Sequence, residues 1–161
     1  MERFTPFIAN PLTANDAAIV LATKLHRESL IQRLKGSGFD IDGAIQQGTL
    51  ISLDAAEMLS TIMVNGVPDR ILFFEGLGAL IELAAEAVNK EQPRVSIFGE
   101  CCGLLYAEGK VDAAISIEKI GNDLGKTHNI DILCGYPSLH GMEDHPVFKS
   151  ICAEHSAVSF R

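Results

Sequence analysis

The sequence has few basic residues, with 13 Lys and Arg against 21 Asp and Glu and a formal net charge of −8. This imbalance argues against binding nucleic acid or an anionic membrane through a broad basic surface. Apolar runs of the ~20 residues needed to span a bilayer are also missing. Residues 1–20 lack the ordered basic, apolar and small-residue zones of a signal peptide. We therefore expect a cytoplasmic protein without a nucleic-acid or membrane partner.

Cysteine is scarce, and its spacing is uninformative. Cys101, Cys102, Cys134 and Cys152 form neither a CxxC motif nor a zinc-ribbon pattern. Adjacent cysteines rarely bridge each other because a disulfide needs a particular geometry, so we expect four reduced thiols. Cys101 stands at the start of a predicted helix, where its pKa could be lowered.

Metal-binding patterns are equally weak. The stretch "HGMEDH" (140–145) and the Cys152-x-x-His155 pair do not have a familiar ligand spacing. We expect no metal and no cofactor, and we interpret His155 as fixing the last helix-to-strand turn.

The signatures of nucleotide and acyl-transfer chemistry are missing as well. The chain contains no GxxxxGK[ST], no GxGxxG between a strand and a helix, and no G-x-S-x-G elbow. The first predicted strand runs into "TKLHRES", which has no glycine to let backbone amides approach a phosphate. The sequence thus predicts a domain that is not an enzyme.

What the sequence does have is a regular alternation of apolar strand and helix patterns. Parallel strands need crossover connections, so this order predicts an α/β domain in three layers with a mostly parallel sheet of about five strands. The 161 residues contain no repeat or linker, and we expect one domain over 1–161. The predicted strands are 17–22, 49–54, 95–98, 130–136 and 156–160. The predicted helices are about 4–12, 24–35, 42–47, 55–62, 71–89, 101–108, 110–125 and 145–154, with a loop at 65–69. Thr23 and Asp54 are the predicted N-caps of the helices at 24–35 and 55–62, and Gly109 is predicted to break the helical pair 101–108 and 110–125.

Glu100 is the first candidate site residue, because it follows the strand "RVSIF" and Gly99. Ligands of α/β proteins are usually held at the carboxyl ends of the strands, so Glu100 could point into that crevice. It could equally cap the next helix, where an acidic side chain is favourable. The two roles are compatible, and the sequence leaves both open.

Glu118 interrupts the apolar face of the helix predicted at 110–125. An unpaired buried carboxylate is costly, so Glu118 should have a partner or a raised pKa. Asn122, one turn later, is one candidate partner. Two roles remain open for Glu118 and Asn122. They could be a polar pair that is hydrogen-bonded to backbone at the edge of the core, or they could contact a ligand or an interface.

Four further residues fall at the same predicted edge of the sheet. Thr23, His26 and Arg27 begin the helix after the first strand, where their donors could meet an anion or a carboxylate. Tyr136 ends the fourth strand and could line the crevice. Solvent-facing or merely structural roles are the alternative for all four.

The residues also carry a family resemblance. The resemblance is carried by the stretch from "AAIVLATKLHRES" to "VNGVPD" (17–69), followed by "RVSIFGE", "LLYAEGKVDAAISIEKIGNDL", "LCGYP" and "ICAEHSAV". In these stretches the chain resembles the MEDS sensory domain, a module found with bacterial histidine kinases and transcriptional regulators. That family is in turn similar to KaiC and other RecA-like ATPases downstream of their phosphate loop. The resemblance implies a RecA-like or Rossmann-like scaffold adapted to sensing, with the nucleotide loop lost.

Two departures from the family pattern have structural consequences. Members usually open with a strand containing H-x-x-x-F-Y, and we expect this amino-terminal strand to be missing here. The tryptophan of the usual W-N-D-L motif is replaced by Gly121, which predicts a roomier or differently shaped pocket.

We therefore expect a non-catalytic sensory module that regulates a histidine kinase or transcriptional regulator, acting as a dimer. An unknown small molecule or partner domain would contact Thr23, His26, Arg27, Glu100, Glu118, Asn122 and Tyr136. The alternatives are a RecA/KaiC-like nucleotide-binding ATPase domain and a pure oligomerisation module.

Overall fold

The computed structural model describes residues 4–136 and 146–155. Its strands are β1 (Ala17–Ala22), β2 (Leu50–Asp54), β3 (Met63–Val64), β4 (Val67–Pro68), β5 (Val95–Gly99) and β6 (Ile130–Cys134). Its helices are α1 (Thr5–Thr13), α2 (Lys24–Gly36), α3 (Ile41–Gln47), α4 (Ala55–Ile62), α5 (Arg70–Glu86), α6 (Cys101–Ala107), α7 (Val111–Gly125) and α8 (Pro146–Ala153).

Within residues 4–136 and 146–155, four parallel strands form the main sheet in the order β2-β1-β5-β6. The register places Leu21 of β1 beside Gly99 of β5, and Gly99 beside Cys134 of β6, so the carboxyl ends of these strands are level. The predicted α/β class and parallel sheet are confirmed. The fifth predicted strand, 156–160, lies outside the described residues.

Helices cover both faces of this sheet, which gives the predicted three layers. Alternate residues of β1 point to opposite faces, as strand geometry requires. Ile19 belongs to the core cluster that contains residues of α4, α5, α6 and α7, whereas Val20 belongs to the cluster that contains residues of α1, α2 and α3. All six residues of β1 are buried, which explains why "AAIVLA" reads as a continuous apolar run.

Aspartates begin three of the helices. Asp40, Asp54 and Asp69 each accept a hydrogen bond from a backbone N–H in the first turn of the following helix, which satisfies donors that the helix itself leaves unpaired. Asp54 caps α4 as predicted. Two of these caps, Asp54 and Asp69, lie where the chain leaves a strand, and they fix the start of the next helix there.

The predicted loop at 65–69 is partly a β-hairpin. Met63–Val64 pairs antiparallel with Val67–Pro68 across a turn of Asn65 and Gly66. Both turn residues have positive φ (52° and 81°), the conformation that favours Asn-Gly in two-residue hairpins. The loop interpretation missed this signal because the flanking strands are only two residues long.

Among the residues that the structure describes, none of the helices has the length and apolar character needed to cross a membrane.

Candidate functional site

Two groups of polar side chains lie at the carboxyl edge of the sheet. The chain places β2 on one side of β1 and β5 on the other, so the edge between β1 and β5 is a topological switch point, where open α/β sheets commonly bind ligands. We call Thr23, His26, Arg27, Asp54 and Glu100 the switch-point cluster. We call Cys102, Glu118, Cys134, Tyr136 and His155 the cavity cluster.

Glu100 joins the two strands of the switch point. One carboxylate oxygen, Oε2, accepts the backbone N–H of Thr23 at 2.9 Å, and the other, Oε1, lies 2.5 Å from Nδ1 of His26. Glu100 thus lies in the predicted crevice, but its carboxylate is directed to the start of α2. Glu100 does occupy the N-cap position of α6, as one of the two predicted roles requires, but its side chain makes no capping hydrogen bond there.

Arg27 and Asp54 tie the ends of β1 and β2 together. The guanidinium donates from Nε to the carbonyl oxygen of Ala22 and from Nη2 to Asp54 Oδ2, both at 3.2 Å. Desolvation opposes ionisation of Asp54, but the N–H groups of Ala56 and Glu57 and the Arg27 charge outweigh it and lower its pKa. Thr23 occupies the predicted N-cap position of α2 and contributes its backbone N–H to the cluster.

Glu118 is the centre of the cavity cluster. It is 5% exposed, and its Oε1 accepts a 2.7 Å hydrogen bond from the hydroxyl of Tyr136. Its Oε2 lies 3.1 Å from the sulfur of Cys134 and 3.3 Å from Nε2 of His155. The predicted partner Asn122 is not part of this arrangement, because its amide donates to the carbonyl oxygen of Glu154 at 2.7 Å. Helical spacing placed Glu118 and Asn122 one turn apart, but Asn122 is exposed.

The side chains of the cavity cluster shift one another's pKa values. Burial would raise the pKa of Glu118, but hydrogen bonds from His155 and Tyr136 outweigh it, so the pKa is lowered rather than raised. Hydrogen bonding to Cys134 and then to Glu118 raises the pKa of His155 to about 11. The Cys102 thiol lowers the pKa of its neighbour Cys134 by hydrogen bonding to it.

A cavity of about 170 Å³ adjoins these side chains on the face covered by α4, α5, α6 and α7. Its polar end is formed by Cys102, Glu118, Cys134 and His155. Asn122, an exposed residue, also lines it, so the cavity reaches solvent on that side. The apolar walls are formed by Leu21, Met58, Ile62, Phe73, Leu77, Ile97, Ile117 and Ile132.

Two glycines shape this cavity. Gly121, which replaces the family tryptophan, lines the wall, and a Cβ there would meet Ile132 Cδ1 at 3.6 Å. Gly103 lets α6 approach the end of β6, since a Cβ at this position would lie 2.3 Å from the carbonyl oxygen of Gly135. That close approach brings Cys102 toward Cys134.

Cys102, Cys134 and His155 are the site residues that sequence reasoning missed. All four cysteines are free thiols, as predicted. Their separation in the sequence gives no motif, so only the sheet edge brings them together. The expectation of a lowered pKa at Cys101 is wrong, because burial raises the pKa of this thiol to about 12. The "HGMEDH" stretch lies outside the described residues.

The seven predicted site residues therefore divide between two places. Thr23, His26, Arg27 and Glu100 meet at the switch point, whereas Glu118 and Tyr136 meet at the cavity, with Asn122 beside them. As possible metal ligands, Cys102, Glu118 and Cys134 hold donor atoms within 4.8 Å of one another.

Fold and site together define a three-layer, Rossmann-like α/β domain with a small cavity at the carboxyl edge of its sheet. A family model described as "MEthanogen/methylotroph, DcmR Sensory domain" (MEDS) matches residues 1–146, and the chain belongs to this family. Comparisons with curated proteins and with solved structures gave no match.

Proposed function

We propose that this domain is a non-catalytic sensor that binds a small, largely apolar molecule in the cavity and thereby regulates a signalling partner. The observation that carries the proposal is the cavity itself, with apolar walls and a buried carboxylate at one end. A family described as sensory supports the same role.

The cavity limits the size of the ligand. An apolar protein cavity of about 150 Å³ holds a molecule such as benzene. At about 170 Å³, this cavity has room for a ligand of similar size. Nucleotides and peptides are much too large for it.

The polar end limits the chemistry of the ligand. A carboxylate oxygen can accept two hydrogen bonds. Glu118 Oε1 accepts one from Tyr136, so a hydroxyl or amino group on the ligand has an acceptor within the cavity. We therefore expect a small alcohol or amine to bind more tightly than the hydrocarbon of the same shape.

The switch-point cluster supports a non-catalytic role. Anions commonly bind at helix N-termini in such folds, because the backbone N–H groups there are unpaired. Here the carboxylate of Glu100 accepts the N–H of Thr23 at the start of α2. A phosphate entering this crevice would have to displace an internal anion.

Signalling requires that the ligand bind one of two states better than the other. Helix α5 lines the cavity with Phe73 and Leu77, and its first turn exposes Ile71, with exposed Val67 just before it. Through this helix, a change at the cavity wall would reach an apolar surface suited to a partner. We expect that partner to be a kinase or regulator domain, or a second copy in a dimer.

The experiment follows thermal unfolding during titration with a matched pair of probes, benzyl alcohol and toluene. We expect a saturable rise in Tm with benzyl alcohol and a smaller one with toluene, because only the alcohol can donate to Glu118.

Gly121→Leu should fill the cavity and remove both responses, whereas Gly121→Ala, whose Cβ fits, should retain them. Equal responses in the parent and in Gly121→Leu would show that the probes bind elsewhere. If neither probe shifts Tm in the parent, this cavity is not the sensory site.

A further inference from the structure

We propose that Cys102, Glu118, Cys134 and His155 form a binding site for a thiophilic divalent cation, zinc in particular. The four residues come from α6, α7, the end of β6 and the segment after α8, and all four line the polar end of the cavity. Metal binding needs no organic ligand, so this inference and the proposed function can fail separately.

The donor atoms are close enough to share one ion. The two sulfurs and one carboxylate oxygen of Glu118 lie within 4.8 Å of one another. Zinc–sulfur and zinc–oxygen bonds of about 2.3 and 2.0 Å in a tetrahedron separate donor atoms by roughly 3.5 Å. Nε2 of His155, 3.3 Å from Glu118 Oε2, supplies a fourth donor. His155 lies outside the group of three whose donor atoms are all within 4.8 Å of one another, so its ring would have to move toward the two sulfurs to complete the tetrahedron.

The orientation of His155 calls for a positive charge at this point. Its Nδ1 lies 2.8 Å from the carbonyl oxygen of Ile151, and a carbonyl can only accept, so Nδ1 carries a hydrogen. In the neutral ring Nε2 then has a lone pair, and it faces Oε2 of Glu118, another acceptor. Either a second proton or a metal ion must lie between them.

The groups around the four residues match those that usually support metal ligands. Ligating histidines donate their other ring N–H to a carbonyl or carboxylate, and ligating carboxylates are themselves hydrogen-bonded. His155 donates to Ile151, and Glu118 Oε1 accepts from Tyr136. This leaves Oε2 of Glu118 near both the sulfur of Cys134 and Nε2 of His155.

The donor types select the class of metal. Two thiols, an imidazole and a carboxylate suit zinc and its neighbours, whereas magnesium and calcium prefer oxygen-only sites. Glu118 is buried, at 5% exposure, where an uncompensated negative charge is costly. A divalent ion offsets more of that charge than one protonated histidine does.

The test is a titration of the full, metal-free, reduced chain with Co²⁺, read by absorption. We expect one cobalt per chain, a thiolate-to-cobalt charge-transfer band and the intense visible bands of a tetrahedral site. Zinc added afterwards should displace the cobalt and remove the colour.

Matched variants locate the site. Cys102→Ser and Cys134→Ser should each lose most of the charge-transfer intensity, and Glu118→Gln should weaken binding without removing a thiolate. Tyr136→Phe should weaken binding by about tenfold to a hundredfold, as loss of a supporting hydrogen bond does. Cys101→Ser is the control, because Cys101 is also buried but its sulfur faces the carbonyl oxygen of Ala55.

Circular dichroism of the metal-free variants checks that each one folds. If Cys102→Ser does not fold, Cys134→Ser, at the half-buried edge of the sheet, tests whether the thiols bind the metal. The proposal is overturned if the parent shows no charge-transfer band. It is also overturned if Cys101→Ser loses the band as completely as Cys134→Ser does.

Discussion

Glu100 and Glu118 are nearly equally buried, at 8% and 5% exposure, yet their surroundings differ. Glu100 lies between β1 and β5, and both its oxygens are held by α2, through Thr23 and His26. Glu118 lies beside a cavity and is surrounded by groups that can exchange protons or bind metal.

The comparison teaches that a buried carboxylate at the carboxyl edge of a sheet does not by itself mark a ligand site. The switch-point cluster uses its charges to hold three chain segments together. The cavity cluster has comparable charges beside empty space. The adjoining space, more than the charge, therefore identifies the site that can receive a ligand.

The largest effect is expected at Glu118. Glu118→Ala removes the acceptor of Tyr136 and His155 in a buried place, and we expect it to lower the free energy of unfolding by about 3 kcal/mol. Chemical denaturation measures this value. Lys119→Ala, the exposed neighbour on the same helix, should change it by less than about 0.5 kcal/mol. If Glu118→Ala and Lys119→Ala lowered the free energy of unfolding equally, the buried contacts of Glu118 would not contribute more than those of an exposed residue.

Gly103→Ala should have the next largest effect and lower the free energy of unfolding by about 2–3 kcal/mol, because the new Cβ would collide with the backbone at Gly135. The change separates α6 from β6 and so disturbs the cavity cluster more than the switch point. Gly99→Ala is the control, since a Cβ there meets nothing within 4 Å. If Gly103→Ala left the free energy of unfolding unchanged, α6 would be able to shift away from β6 at little cost.

Glu100→Ala should cost about 1–2 kcal/mol, less than Glu118→Ala, because its partner His26 has a side chain that is 42% exposed. A double-mutant cycle with His26→Ala isolates their coupling, expected at about 1 kcal/mol or below. A coupling larger than the whole effect of Glu118→Ala would reverse the ranking of the two clusters.

Asp54 gives a smaller, pH-dependent effect. Its pKa is lowered in the folded protein, so the unfolded chain binds more protons near the ordinary value of 3.8. The stabilisation is therefore present above that pH and is lost as the pH falls through the folded pKa. Unfolding curves of the parent and of Asp54→Asn should differ at pH 7 and converge at pH 2–3. A constant difference at every pH would contradict this assignment.

Magnesium and ATP should have the smallest effect, with no saturable change in Tm, because Glu100 occupies the place of an anion at α2. A saturable stabilisation of several degrees would favour the nucleotide-binding alternative. Repeating the titration with Glu100→Ala tests whether removing the internal carboxylate opens the crevice.

Most of the fold could be predicted because it depends on local patterns. The buried run 17–22, the Asp54 cap and the break at Gly109 each predict an element or boundary without knowledge of distant residues. The helix predicted at 71–89 is Arg70–Glu86 in the structure, a difference confined to its ends. The hairpin at 63–68 was missed although its Asn-Gly turn was visible.

The candidate site was only half predictable. Topology alone placed Glu100, His26 and Arg27 at one edge, since all three follow strands. The partners of Glu118 come from residues 16 to 37 positions later in the chain. Periodicity within one helix points only to Asn122, whose amide binds the carbonyl oxygen of Glu154 instead. The sequence spacing of Cys102, Cys134 and His155 matches no known motif, so it could not predict that they meet.

By itself, the sequence determined the alternation of strands and helices, the caps and the places where polar residues follow strands, because these follow from short-range spacing and burial. Tertiary structure alone decided which of those residues meet and where space remains. Such contacts depend on how α6, α7 and the end of β6 pack against one another, and a one-residue change such as Gly103 to alanine can alter that packing.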